Sequence, residues 1–98
     1  MSTERKMIMG LVKVVVSPDI FASRCDEALQ DKEKVYLGAH QRSGEIYISG
    51  PMADGSFGLV VYDVHSLKEA EELVEEQPMV KAGLLSVELR EMFAVTYG

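Results

Sequence analysis

The chain has 98 residues, of which 47% are hydrophobic and 27% are charged, and these proportions fit one globular domain over residues 1–98. Its formal net charge of -6 opposes binding to nucleic acid, because neutralising phosphates requires clustered lysine and arginine. No apolar run approaches the roughly 20 residues of a membrane span, so we expect a cytoplasmic protein that binds neither nucleic acid nor membrane.

The first predicted element is a central β-strand. Residues 7–16 form a nearly continuous apolar run, rich in valine and broken only by Gly10 and Lys13. Such a run is typical of a strand that is buried on both faces. Lys13 interrupts the run and no small-residue cleavage site follows it, so we interpret this segment as a strand rather than as a signal peptide.

A helix is predicted after this strand. Ser17-Pro18-Asp19 supplies a capping residue, a proline at the first helical position and an acidic residue in the first turn. Apolar residues then recur near the helical period up to Gly44. They are Phe21, Cys25, Ala28, Val35, Tyr36 and Ala39. The charged pair at residues 31–32 is compatible with a kink or a short break near the middle.

A β-hairpin follows the helix. Alternation of residue types over 45–49 places Ile46 and Ile48 on one face of a second strand. Tyr47 and Ser49 then point to the other face. An Asp-Gly turn precedes a third, nearly apolar strand at residues 57–64.

The last part of the chain predicts a second helix and a fourth strand. Ser66 and Glu69 match a capping box, in which a hydroxyl and a carboxylate satisfy exposed backbone donors. One face of this helix is apolar and the opposite face is rich in glutamate, as expected for a helix with one solvated side. Pro78 ends or bends the helix. Alternation over residues 85–97 then predicts a long last strand.

The predicted order is β-α-β-β-α-β, which defines an α+β, ferredoxin-like fold. Right-handed crossovers place both helices on one face of a four-stranded antiparallel sheet. The first and third strands are apolar on both faces, whereas the helices cover only one face. We therefore predict a homodimer in which a second copy covers the helix-free face.

The segment "EKVYLGAHQRSGEIYISGP", followed by a strand, "SLKEAEELVEEQPMVKAGL" and a last strand, resembles the YCII-like family of dimeric α/β-barrel proteins. Family members carry a histidine at the start of a His-x-x-Tyr-Leu motif and an aspartate in an Asp-Pro pair after the second helix. The resemblance implies that this dyad transfers protons. At the matching positions this chain has Glu33 and Gln77.

Two carboxylates are candidate catalytic groups. Glu33 replaces the family histidine and could accept a proton in a pocket walled by Tyr36 and Tyr47, whereas the residue type alone favours a solvated helical glutamate. Glu91 is in phase with the apolar positions of the last strand, where an unpaired carboxylate is costly. A bulge that turns Glu91 outward, or an ion pair, is the alternative. The predicted ligand-binding residues are Tyr36, His40, Tyr47, Ser49 and Gln77.

Two functional hypotheses remain open. One is a cofactor-free isomerase or lyase that moves a proton on a small polar organic metabolite, of the muconolactone or dehydrochlorinase type that the resemblance implies. The other is a non-catalytic dimeric module that binds a small molecule or a partner. The chain has two histidines and one cysteine, too few for a predicted metal site, and it contains no phosphate-binding loop. We therefore predict no metal and no cofactor.

Overall fold

A computed structural model describes residues 5–93. Within this range the elements are β1 (Lys6–Val14), α1 (Pro18–Arg24), α2 (Glu27–Arg42), β2 (Ile46–Pro51), β3 (Gly58–Val64), α3 (Leu67–Glu76), α4 (Pro78–Lys81) and β4 (Leu85–Met92). The predicted strand positions 94–97 lie outside the described residues. None of the helices in residues 5–93 combines the length and the apolar character needed to cross a membrane.

The four strands form one antiparallel sheet in the order β2-β3-β1-β4, which confirms the ferredoxin-like α+β prediction. Ile8 in β1 lies opposite Tyr62 in β3, so both side chains share the face that packs against the helices. Ala70 and Leu73 of α3 complete this core, and Leu37 of α2 packs against it. The apolar core therefore lies on one side of the sheet.

The first predicted helix is two helices, because the chain breaks at Cys25 and Asp26. Cys25 leaves the helical conformation, and Asp26 caps a new helix by accepting a hydrogen bond from the Leu29 amide at 2.9 Å. The predicted break near residues 31–32 is wrong. Both residues there are exposed, and α2 continues through them without interruption.

The inner face of α2 differs from the predicted one because the break resets the helical phase. Leu29, Glu33 and Leu37 are spaced four residues apart and lie partly or fully buried toward the sheet. Three positions that we predicted to face inward are exposed instead: Ala28, Val35 and Ala39. The prediction extended the phase of α1 into α2, and this rotated the expected inner face away from Glu33.

A bulge in β2 overturns the predicted alternation of that strand. Ile46 pairs with Tyr62, whereas Ile48 pairs with Val61, the neighbouring residue of β3. Adjacent strand residues point to opposite faces, so Ile46 is buried while Ile48 is 55% exposed on the other face. Ser49 consequently lies on the helix-covered face.

The helix α3 begins and ends as its sequence indicates. The Ser66 hydroxyl accepts a hydrogen bond from the Glu69 amide at 3.1 Å, and the Glu69 carboxylate accepts one from the His65 amide at 3.0 Å. This arrangement confirms the predicted helix start. Gln77 has an extended conformation between α3 and α4, and Pro78 opens α4. We call Gln77–Met79 the α3–α4 corner.

Gly10 allows β1 to pack closely against its neighbours, and its replacement tests this packing. A Cβ atom at Gly10 would lie 2.7 Å from side-chain carbons of both Val60 and Val87. We expect Gly10→Ala to lower the free energy of unfolding by about 1–3 kcal/mol through overpacking, measured by chemical denaturation. Gly50→Ala is the control, because a Cβ there meets no atom within 4 Å. Equal losses in the two variants would contradict this explanation.

Candidate functional site

A cavity of about 740 Å³ lies on the helix-covered face of the sheet. Residues from β1, β2 and β3 line one side, and α1, α2 and the α3–α4 corner line the other. The lining is mostly apolar, and Glu33, Ser49 and Gln77 are among its polar residues. Small-molecule sites typically have this volume and this combination of an apolar wall with a few polar groups.

Glu33 and Gln77 form the polar centre of this cavity. Glu33 is only 8% exposed and Gln77 only 4%. The Gln77 Nε2 atom donates a hydrogen bond to Glu33 Oε2 at 2.6 Å, and the Met79 amide donates one to Glu33 Oε1 at 3.1 Å. Each carboxylate oxygen therefore has a partner, which makes burial of the carboxylate tolerable.

The contact with Met79 follows from the way in which α4 begins. Pro78 has no amide hydrogen, so the amide of Met79 is the first unpaired donor of this short helix. The side chain of Gln77, which precedes the helix, makes no capping hydrogen bond to it. Glu33 supplies that cap from α2 and thereby connects two helices that are distant in sequence.

The structure brings together three of the predicted site residues. Glu33, Ser49 and Gln77 all line the cavity, and the Ser49 hydroxyl accepts a hydrogen bond from Gln41 Nε2 at 3.3 Å. The alternative of a solvated Glu33 is wrong, because this residue is buried. It lies on the inner face of α2 between Leu29 and Leu37, which are partly buried toward the sheet. The spacing of four residues between these positions is a signal in the sequence that could have indicated burial.

Tyr36 and His40 lie in a separate groove of about 320 Å³ beside α3. His40 Nδ1 is 2.6 Å from Glu45 Oε1, and the rings of His40 and Tyr36 are 4.5 Å apart. The Tyr36 hydroxyl donates to the Leu73 carbonyl at 2.5 Å. Burial, with smaller contributions from nearby glutamates, raises the pKa of Tyr36 from 10.0 to about 12. Tyr36 therefore remains a protonated donor at neutral pH. Because it lines the groove and not the cavity, it does not form a wall of the Glu33 cavity as predicted.

Two other predicted site residues lie away from the cavity. Tyr47 is 71% exposed and is not among the residues that line either the cavity or the groove. Its position at the bulge of β2 turns it out to solvent. Glu91 is exposed and forms a salt bridge with Lys6 at 3.2 Å, so the ion-pair alternative is confirmed and the buried position is wrong. Among residues 5–93, no cluster of three or more histidine, cysteine or acidic side chains could hold a metal ion.

Phe21 is a cavity residue that we did not assign from sequence. We predicted it as one member of the apolar stripe of a long helix. In the structure it belongs to the separate helix α1, and its side chain is half-buried at the cavity. The signal that could have separated the helices is Asp26, which is a favoured capping residue.

The model of the YCII-related domain matches residues 14–93 of the chain. The protein belongs to the YCII-related family. A similar solved structure is the 5-chloro-2-hydroxyhydroquinone dehydrochlorinase from Burkholderia phenoliruptrix AC1100, in complex with 2,5-dihydroxybenzoquinone. Its TM-score is 0.65 with 20% sequence identity, and the alignment covers 94% of this chain and 95% of that chain. No curated protein matches by sequence.

The structural similarity extends over 94% of this YCII-related protein, and it confirms the fold inferred from the order of elements. The two positions at which the family resemblance implies a proton-transfer dyad are adjacent in space here. They hold a carboxylate and an amide, so one titratable group stands beside one hydrogen-bonding group.

The acid stability of the protein should depend on Glu45. The hydrogen bond from His40, and a weaker one from Ser43, hold the pKa of Glu45 below its ordinary value of 4.5. A lowered pKa contributes stability that is present above pH 4.5 and is lost as the pH falls through the folded-state pKa. We expect Glu45→Gln to lose less stability than the wild type over this acidic range. Unfolding measured from pH 7 downward, with the exposed Glu71→Gln as control, checks this expectation, and parallel curves would contradict it.

The hydrogen bonds of Glu33 can be tested by exchanging its side chain with that of Gln77. Glu33→Gln leaves one acceptor oxygen for two donors, so we expect it to lower the free energy of unfolding by about 1–3 kcal/mol. Adding Gln77→Glu should recover most of the loss. The amide at position 33 can then accept from the Met79 amide and donate to the carboxylate at position 77.

Chemical denaturation of the wild type, both single variants and the double variant measures this coupling. A double variant as unstable as the sum of the two single variants would show that the pair is not the stabilising contact described above.

Proposed function

We propose that this YCII-related protein is a cofactor-free enzyme that transfers a proton on a small polar organic metabolite. Glu33 is the acid–base group, and the reaction is an isomerisation or an elimination of the muconolactone or dehydrochlorinase type. One observation carries this proposal: a buried carboxylate lines a mostly apolar cavity of about 740 Å³. A cavity of this size can hold a single-ring compound with polar substituents.

The geometry favours proton transfer because Glu33 is fixed and largely removed from water. Exclusion of water strengthens the interaction between a carboxylate and a substrate proton. Gln77 and the Met79 amide each use one hydrogen-bonding site on the carboxylate. A carboxylate oxygen can accept two hydrogen bonds, so a second site on each oxygen remains for a ligand.

In the proposed step, an oxygen of Glu33 takes a proton from a carbon next to a carbonyl group. The electron pair of the broken C–H bond passes to the carbonyl oxygen, which forms an enolate. Isomerisation follows when Glu33 returns the proton to a different carbon. For a chlorinated hydroquinone, Glu33 moves a proton from a ring hydroxyl to the adjacent chlorine-bearing carbon, which gives a keto tautomer. Glu33 then takes the proton of the hydroxyl opposite the new carbonyl. The O–H electron pair forms a second carbonyl, the ring electrons expel chloride, and the net change is loss of HCl. Gln77 has no titratable group, and its role is to position the carboxylate.

The similarity to a dehydrochlorinase supports the choice of compounds to test. That enzyme is named for 5-chloro-2-hydroxyhydroquinone and was solved with 2,5-dihydroxybenzoquinone. Both compounds are single rings with oxygen substituents, and they match the size and the mixed lining of the cavity. We therefore propose oxygenated six-membered rings as the first substrate class for this protein.

A second function, a non-catalytic small-molecule-binding module, also has a specific observation in its favour. Glu33 caps α4 and bonds Gln77, and these structural contacts alone would explain its burial. On this alternative the cavity binds a metabolite without converting it. A wild-type protein that binds a quinone but gives no turnover would favour the module over the enzyme.

We further propose that the protein forms a homodimer through the helix-free face of the sheet. Met9, Leu11, Leu59 and Val61 alternate with the core residues of β1 and β3, and this register places them on that face. The bulge of β2 adds Ile48, which is 55% exposed. These residues form a contiguous apolar area that a second copy could cover.

The catalytic role of Glu33 can be separated from its structural role. We expect Glu33→Gln to lower chloride release from 5-chloro-2-hydroxyhydroquinone by roughly 100-fold or more, because it removes the proton acceptor. The double variant with Gln77→Glu should remain slow although its stability recovers, since the carboxylate has moved. Turnover at the wild-type rate in the Glu33→Gln variant would contradict the catalytic role.

Two single variants test the dimer: one places an arginine on the helix-free face of the sheet, and the other places an arginine on the outer surface of α2. Ile48→Arg should convert the protein to a monomer in sedimentation at micromolar concentration, because an arginine would lie within the proposed interface. Val35→Arg is the matched control, since Val35 is 68% exposed on α2. A monomeric wild type, or the same sedimentation for both variants as for the wild type, would contradict the proposed interface.

A further inference from the structure

The helix α1 is weakly attached to the rest of the fold. None of its seven residues is buried, and it makes at most isolated contacts with the other helices and strands. In contrast, α2 packs against both β2 and α4. Segments with few buried contacts open locally at a low free-energy cost.

Phe21 is the residue that connects α1 to the cavity. It is half-buried, and it is the one residue of α1 that lines the cavity. Its neighbour Ile20 is 42% exposed and does not line the cavity. An aromatic side chain provides a large apolar contact area, so Phe21 supplies most of the attachment of α1.

The helices α1 and α2 are capped separately, so α1 can open without disturbing α2. Ser17 caps its start by accepting a hydrogen bond from the Ile20 amide at 3.2 Å, and Asp26 caps α2 independently. Between the helices, the Cys25 carbonyl accepts a hydrogen bond from Gln30 Nε2 at 3.0 Å. This bond holds Cys25 to α2, while the Cys25 amide donates to the Phe21 carbonyl at 2.8 Å at the end of α1. Movement of α1 therefore leaves α2 and Glu33 in place.

We propose that α1 is a movable wall of the cavity, which detaches between Ser17 and Cys25 to admit a ligand and which Phe21 holds closed. The nature of the ligand rests on the proposed function, whereas the opening of α1 does not. Closure places an aromatic ring against the ligand and reduces the access of water to the carboxylate. Phe21 is then a specificity-determining residue that favours flat, partly apolar molecules over small polar ones.

Hydrogen–deuterium exchange of the ligand-free protein tests the opening, because a seven-residue helix that leaves the fold is too short to keep its own hydrogen bonds. We expect the amides of α1 to exchange faster than those of α2. Phe21→Ala should accelerate exchange in α1 about tenfold, because the loss of one partly buried aromatic contact favours the open form. Ile20→Ala, a matched control on the same helix, should leave exchange in α1 nearly unchanged. The same protection in α1 as in α2, or the same acceleration in both variants, would overturn the proposal.

A second arm adds 2,5-dihydroxybenzoquinone as the probe, with its binding measured by calorimetry. We expect the bound quinone to slow exchange in α1 of the wild type, and to slow it much less in Phe21→Ala. Quinone bound in the cavity without any slowing in α1 would overturn closure over a ligand. Failure of the quinone to bind counts against the proposed substrate class, while the ligand-free comparison still decides whether α1 opens.

Discussion

The buried hydrogen bond between Glu33 and Gln77 is the contact on which the site depends. A carboxylate can be buried only when hydrogen bonds replace those it makes with water. Here Gln77 and the Met79 amide supply them, and no buried side-chain nitrogen or oxygen atom in residues 5–93 lacks a partner. The same contact fastens α2 to the α3–α4 corner, so the shape of the cavity and the position of its carboxylate have one physical origin.

The sheet creates the space that this carboxylate faces. Gly58 lies opposite Val12 on the cavity side, where a Cβ would come within 3.2 Å of the Val12 side chain. The bulge in β2 turns Ser49 toward the cavity and Ile48 toward the opposite face. One irregularity thus adds a hydroxyl to the cavity wall and an apolar side chain to the proposed dimer interface.

The fold could be predicted from the sequence because its signals are local. Apolar runs in the first and third strands, alternation in the last strand and the Ser66–Glu69 pair define the elements, and their order defines the topology. The site was less predictable because its contacts are distant: Gln77 is 44 residues from Glu33. The bulge at Tyr47 is not visible in an alternating pattern. The new helical phase after Asp26 decides which residues of α2 face inward. Predicting that inner face would have required recognising Asp26 as the N-cap of a second helix.

A crystal structure of the protein soaked with 2,5-dihydroxybenzoquinone tests the central claim most directly. The account predicts the quinone inside the cavity, with one of its oxygens at a hydrogen-bonding distance of about 2.5–3.2 Å from the carboxylate of Glu33. Quinone bound in the groove beside Tyr36 and His40, or elsewhere away from Glu33, would contradict the assignment of this cavity as the functional site.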